Sequence, residues 1–346
     1  MSSRINLIKI GWDLGGAHIK YCVESQASNV IWYDVIDFDF WNDYAKLSSL
    51  IISICKKYHK NGSLIKNYFT MSAEMCDCFD SRTAGVKYIL NQIKKTKYRS
   101  YIFSKYGLNE LNSRDKINID DVGSFNWYAS ALYTTKIMDN AILIDFGSTT
   151  CDFSIIKNGK ILNKRNSDLD GILNRELLYT GCSRTPIYAH INEIKFRSHS
   201  YKIIPENFSS MSDINIILGK LRKRDIYSKS SDGSSHSLLQ SYKRISRSFG
   251  FDYDRSKKSL VNYLCLKIYN NQVDLINKTL SFHSNKYFKN SKFTVVALGL
   301  GSKIICNMCK QNRYDYLDIR DILNENIVNG GYLSNLFPAF VLNRLS

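Results

Sequence analysis

The stretch that most constrains the fold of this chain runs from Asn140 to Ile156 and reads NAILIDFGSTTCDFSII. Ala141 to Ile144 are continuously apolar, as in a central strand covered on both faces. The strand ends on Asp145, and Gly147, Ser148, Thr149 and Thr150 follow as a tip of small, hydroxyl-bearing residues. A second strand is expected from Cys151 to Ile156, closed by a turn at Lys157-Asn158-Gly159-Lys160. A carboxylate leading into such a tip offers backbone N–H groups and hydroxyls to a phosphate, and an oxygen ligand to Mg²⁺. Taken alone, it reads equally well as an ordinary hairpin.

The chain opens with a second copy of the pattern. Ile5 to Ile10 form an apolar strand that runs into Gly11-Trp12-Asp13-Leu14-Gly15-Gly16, and Tyr21-Cys22-Val23 returns. The two Asp-plus-Gly turns lie about 130 residues apart. A third Gly-rich turn, carrying Gly299 and Gly301, follows the apolar run Phe293 to Ala297 and opens a helix at Ile304. Three such turns in this order resemble the actin, sugar-kinase and Hsp70 superfamily, with two phosphate loops and an adenosine loop. The resemblance implies an α/β, actin-like ATPase fold: two ribonuclease-H-like lobes with a ligand in the central cleft.

With 346 residues the chain can bury a large core, and its length suits two lobes. No apolar run approaches the roughly 18 residues that cross a bilayer, and no signal-peptide core is read near Met1. Nine cysteines, placed mostly in apolar segments, suit reduced thiols and a cytoplasmic setting. The pairs Cys76/Cys78 and Cys306/Cys309 are poorly spaced for a shared zinc knuckle and flank different strands. A net charge of +17 would raise nucleic acid as a partner. However, it accompanies a drift toward Lys, Asn, Ile and Tyr with only three prolines, so neither nucleic acid nor membrane is expected. The one local concentration, residues 219–248, holds eight Lys/Arg against two Asp. It reads as a solvated Ser-rich loop, with a site for an anionic ligand as the alternative.

In chain order, the first lobe is expected over residues 1–136 and the second over 137–346, with the basic segment near 219–248 as an insertion. Helical spacing is clear at Leu47/Leu50/Ile51/Ile54 and at Val86/Ile89/Leu90/Ile93. The strand Tyr68 to Ala73 ends in an acidic run with Glu74 and Arg82, past a strand edge where open α/β sheets bind ligands. Asn126 and Trp127, at a helix start, serve either as cap and core anchor or as cleft lining. Leu173 to Leu178 reads as helical. Thr180, Arg184 and Thr185 around Gly181 suit an anion clamp, since Arg offers bidentate donors, although such loops are commonly structural. Helices are also read over 209–218, 238–248, 258–280 and 322–345.

Five segments in order, GWDLGGAHIK, SAEMCDCFDSRTAGV, FNWYASA, LIDFGSTTCD and ELLYTGCSRTP, narrow the resemblance. Together they resemble the tetrahydromethanopterin-linked C1-transfer pathway proteins, related to the hydantoinase/oxoprolinase proteins. His18 and Ile19 depart from the family's usual Asn and Thr, and Cys151 from a common third Thr. The region 207–248 is only loosely alike. The resemblance implies a transferase of methanofuran biosynthesis, with a small-molecule diphosphate and a γ-glutamyltyramine-like acceptor as its partners. It admits a homodimer. In that reading Asp13 and Asp145 hold Mg²⁺, directly or through water. Gly15, Gly16, Gly147, Ser148, Thr149, Thr150, Gly299 and Gly301 serve the phosphates, with Lys20 or Arg184 neutralising the departing charge. Asp152 and Glu74 stand as alternative bases for the phenol, and Arg82 as a partner for the γ-glutamyl carboxylate. Asn126, Trp127, Thr180 and Thr185 would touch substrate. ATP is compatible with these loops but not required. An ATP-dependent small-molecule kinase or ATPase is the alternative, and a nucleotide-sensing regulator, which would need a DNA-binding module, is the third reading.

Overall fold

The computed structural model of the chain describes residues 6–26, 30–59, 63–111, 117–322 and 333–346. The first sheet is built from β1 (Asn6–Leu14), β2 (His18–Ser25), β3 (Val30–Asp37), β4 (Ser63–Met71), β5 (Arg99–Ser104) and β6 (Gly107–Glu110). Its order is β3-β2-β1-β4-β5-β6, with β1, β4 and β5 parallel and the other neighbours antiparallel. The second half supplies β7 (Ala141–Phe146), β8 (Cys151–Lys157), β9 (Lys160–Ile161), β10 (Leu177–Leu178), a separate hairpin of β11 (Glu193–Phe196) and β12 (His199–Lys202), β13 (Thr294–Leu298) and β14 (Tyr316–Asp318). The second sheet has the order β10-β8-β7-β13-β14, with β9 beside β8. Each sheet thus places an antiparallel meander beside a parallel pair, and β1 and β7 hold the equivalent central position.

The unbroken apolar run of β7 follows from that position. Ile142 and Ile144 face a core shared with helices Met211–Ile217, Leu238–Ser248 and Lys258–Tyr287. Ala141 and Leu143 face the opposite core, which joins residues of both sheets, such as Cys22, Tyr68 and Val296. Helices Asn126–Thr134 and Phe337–Leu345 fill this shared core. The closing helix lies against β1 and β2, where Asn343 Nδ2 donates to the Cys22 carbonyl at 3.0 Å. On its outer face the first sheet is covered by helices Leu47–Tyr58 and Arg82–Lys95, whose expected apolar stripes are the buried ones.

Three expectations need correction. The helix read over 173–178 instead lies earlier, at Asp168–Leu173, and Leu177–Leu178 form edge strand β10, paired with Asp152 and Cys151. Short apolar runs do not separate the two states, and here burial of Leu177 beside β8 decides. The long helix continues past 280 to Tyr287, whereas the segment read from Ile322 falls partly on residues 323–332, outside the described residues. The basic segment is a solvated loop only in part: its basic side chains other than Arg244 are exposed, but residues 238–248 are helical. Arg244 within it is fully buried, with Nη2 donating to Asp213 Oδ1 at 2.6 Å and Nη1 to Asp232 Oδ1 at 3.1 Å. Those bonds tie the Ser-rich stretch down and carry Tyr227 across to the first lobe, where its ring meets His18 edge-on at 5.9 Å.

Candidate active site

The two Asp-bearing turns meet across the cleft. Asp13, which is 2% exposed, is the next-to-last residue of β1, and Gly15-Gly16-Ala17 turn the chain into β2, with Gly15 N donating to the His18 carbonyl at 3.1 Å. Antiparallel register sets Asp13 opposite Lys20, whose Nζ lies 3.3 Å from Asp13 Oδ2. Asp13 Oδ1 is buried and has no hydrogen-bond partner among the described residues. In the second lobe Asp145 is the next-to-last residue of β7, and Gly147 N closes the following turn by donating to the Thr150 carbonyl at 2.9 Å. Register sets Asp145 opposite Asp152, which pairs with Arg165 Nη2 at 2.6 Å and accepts from Thr150 Oγ1 at 3.2 Å.

The loop 180–185 supports this second turn from behind. Cys182 N donates to the Gly147 carbonyl at 3.0 Å and Arg184 N to the Ser148 carbonyl at 2.9 Å. Gly181 is required there, because a Cβ would sit 2.0 Å from Ser148 O. Arg184 then reaches over the tip, with Nη1 3.5 Å from Thr149 Oγ1.

Between the turns lies a cavity of about 270 Å³. Asp13, Lys20, Asp145, Asp152 and Arg184 line it, together with Gly15, Gly16, Asn126 and the tip residues Gly147, Ser148, Thr149 and Thr150. Trp41, Met75 and Tyr179 add apolar surface at its edge and are each at least 40% exposed. The electrostatics follow from the crowding of three carboxylates. Burial first, then the charges of Asp152 and Asp13, push the Asp145 carboxyl up to about 7, against the pull of Lys20 and Arg165. Burial, reinforced by Lys20 and Arg184, brings His18 down to about 4, so its imidazole is neutral at neutral pH.

Other expected site residues lie outside this cavity. Glu74 is buried, accepts from Ser124 Oγ at 2.7 Å, and is pushed up by burial. Ser124, held at φ +58°, itself lines the cavity. Arg82 donates to the Gly123 carbonyl at 2.6 Å and stands 3.9 Å from Glu74, so it braces the wall rather than reaching in. Trp127 is a core anchor whose ring carries the Arg165 guanidinium at 4.3 Å. Thr180 accepts from Gln272 Nε2 at 2.7 Å and Thr185 from Gly181 N at 2.7 Å, so both hydroxyls shape the supporting loop. Gly299 and Gly301 lie beneath the second turn: added Cβ atoms would meet Asp145 Oδ1 at 2.4 Å and the Phe146 ring at 2.3 Å. These two glycines admit β7 and its carboxylate; they do not line the cavity. Conversely, Arg165, His18, Trp41 and Tyr179 line it without having been singled out from sequence as site residues. His18, which abuts the first Gly turn, was visible only as a departure from a pattern.

The donor set suits Mg²⁺. Among the described residues no group of three or more His, Cys, Asp or Glu side chains forms a metal cage. Two carboxylates, one with a buried unpartnered oxygen, match an ion that keeps several waters and shares the rest of its shell with phosphate.

A ribonuclease-H-type sheet repeated in two lobes, with facing Asp-bearing turns in the cleft, defines an α/β protein of the actin-like ATPase fold. A nucleotide-free acetone carboxylase structure shares this fold with a TM-score of 0.55 at 11% identity, covering 97% of this chain and 70% of that one. The chain belongs to the hydantoinase/oxoprolinase family, whose sequence model matches residues 67–330. A curated relative from Methanocaldococcus jannaschii is 29% identical over 344 residues, 99% of this chain and 98% of its own. It is the (4-{4-[2-(gamma-L-glutamylamino)ethyl]phenoxymethyl}furan-2-yl)methanamine synthase. A protein of the same name from Methanococcus vannielii is 30% identical over 191 residues, 54% of this chain and 84% of its own. No described helix is long and apolar enough to cross a membrane.

Proposed function

We propose that this protein is an enzyme of methanofuran-type cofactor biosynthesis, an alkyl transferase that joins γ-glutamyltyramine to an aminomethylfuran-methyl diphosphate. The product named for the relatives contains a phenoxymethyl ether between a glutamylated tyramine and an aminomethylfuran. In the proposed step the furan-methyl carbon loses its bond to the diphosphate oxygen, gains one to the phenol oxygen, and the phenol proton leaves. The observation that carries the reading is the pair of facing turns, which present N–H groups, hydroxyls and two carboxylates to one cavity.

Lys20 and Arg184 line the cavity and would neutralise charge growing on the departing diphosphate, with the Ser148, Thr149 and Thr150 tip as a source of hydroxyl and N–H donors. Asp13 and Asp145 would hold Mg²⁺, which when bound neutralises part of the diphosphate charge. A furan-methyl carbon carries positive charge well, so stabilising the leaving group matters more than a strong nucleophile. Trp41 and Tyr179 offer flat apolar surface to the two aromatic rings.

The test is incubation of the purified protein with Mg²⁺, γ-glutamyltyramine and the furan-methyl diphosphate, following released diphosphate and product mass. Ether formed without ATP, and lost in Asp145→Ala, is the expected result. No ether, with ATP turned over instead, would replace this reading with the small-molecule kinase or ATPase.

A further inference from the structure

His18 opens β2 directly after the Gly15-Gly16 turn and lines the cavity. It is 8% exposed, and its Nε2 is shut off from solvent with no hydrogen-bond partner among the described residues. A buried, unpaired imidazole nitrogen is costly to keep unless a ligand completes it. The two groups weighed as bases for the phenol are otherwise engaged. Asp152 is held by Arg165 at 2.6 Å, and Glu74 sits behind Ser124. We propose that His18 is the acceptor-site residue of this enzyme: its Nε2 takes the hydrogen bond of the phenolic hydroxyl and then the proton released as the ether bond forms. This inference rests on the transferase reading.

In the step, the phenol oxygen uses a lone pair to bond the furan-methyl carbon as the C–O bond to diphosphate breaks. The oxygen thereby becomes strongly acidic, and its proton passes to Nε2, leaving the neutral ether and an imidazolium. A weak base suffices because transfer follows the onset of bond formation. The charged and titratable groups around the ring are Lys20 on β2, Arg184 from the 180–185 loop, Tyr227 from the basic segment and Asp37, its register partner on β3. Burial first, then the charges of Lys20 and Arg184, keeps the free imidazole unprotonated. A bound diphosphate between them offsets both charges and raises the basicity of His18 when the proton must be received.

The experiment measures kcat and KM for both substrates against pH for wild type, His18→Gln and His18→Ala, each with and without added imidazole. The expected result for His18→Gln is a kcat roughly a hundredfold lower. Its KM for the diphosphate substrate stays unchanged, and the acidic limb that His18 supplies disappears. A fluorinated, more acidic phenol loses less, and imidazole restores part of the rate in His18→Ala. If the alanine variant does not fold, the glutamine variant decides alone. Wild-type kcat with an unchanged pH profile in His18→Gln overturns the assignment and leaves the transferase reading standing. A raised KM for the diphosphate substrate with the acidic limb retained overturns it too, placing His18 among the diphosphate contacts. No ether from the wild-type protein overturns both.

Discussion

Gly299 lies so close beneath Asp145 that a methyl group on it would come within 2.4 Å of the carboxylate Oδ1. The turn after β13 is therefore part of what fixes the carboxylate at the end of β7. Gly299 also sits at φ +80°, where an L side chain is strained. Gly299→Ala should cost about 2–4 kcal/mol, adding backbone strain to overpacking. Denaturant unfolding would measure that loss, and Mg²⁺ titration of the folded fraction would report displacement of Asp145 as weakened metal binding.

Asp145 also makes stability depend on pH. Its carboxyl is raised to about 7 in the folded chain, against about 3.9 when unfolded. Between those values the native state holds more protons than the unfolded one, so stability falls as pH rises from about 4 to 7 and then levels. Thermal melts in EDTA should show this slope, and Asp145→Asn should flatten it. The variant should melt higher than wild type at pH 8 while losing the stabilisation that Mg²⁺ gives. Parallel curves for the two proteins would contradict the burial cause.

Arg165 neutralises Asp152 at 2.6 Å and stacks on Trp127. Arg165→Met should destabilise by about 2–3 kcal/mol, because Asp152 is left largely buried without its cation. It also removes one of the charges that lower Asp145, so the Asp145 titration should move further up. A double-mutant cycle with Asp152→Asn should recover much of the loss.

Arg244 should matter more for folding than its place in a Ser-rich basic stretch suggests. Arg244→Met leaves the buried Asp213 uncompensated and should cost about 3–5 kcal/mol in chemical unfolding. Arg244→Met with Asp213→Leu should be far milder, since removing both charges avoids a lone buried ion.

Arg184 is held by its backbone to the Ser148 carbonyl while its side chain reaches the cavity. Arg184→Ala should lower the rate of diphosphate release about a hundredfold. Arg184→Lys should restore little of it, because an ammonium lacks the planar fork. Steady-state kinetics on folded variants would check both.

Much of the scaffold is legible in local pattern. The apolar run of Ala141 to Ile144 announces a strand covered on both faces, and Val86, Ile89, Leu90 and Ile93 mark the buried stripe of a helix. The Asp13 and Asp145 turns are legible too, since a carboxylate followed by small residues at the end of a strand reports its own local geometry. By contrast, Thr180 and Thr185 looked like an anion clamp, yet their hydroxyls serve the loop that carries Arg184.

The sequence by itself determined the two repeated strand-turn-strand units and their carboxylates, because the periodicity of apolar residues encodes which face of each element is buried; the two lobes are what the resemblance of those turns implies. Only the tertiary structure decided which groups converge. It placed Gly299 and Gly301 under β7 rather than in the cavity, drew Arg165 over Trp127 to hold Asp152, and brought Tyr227 from the basic segment onto His18. Those meetings depend on how two sheets pack through a shared core and on ion pairs such as Arg244–Asp213 that fix distant segments. No local spacing carries that information.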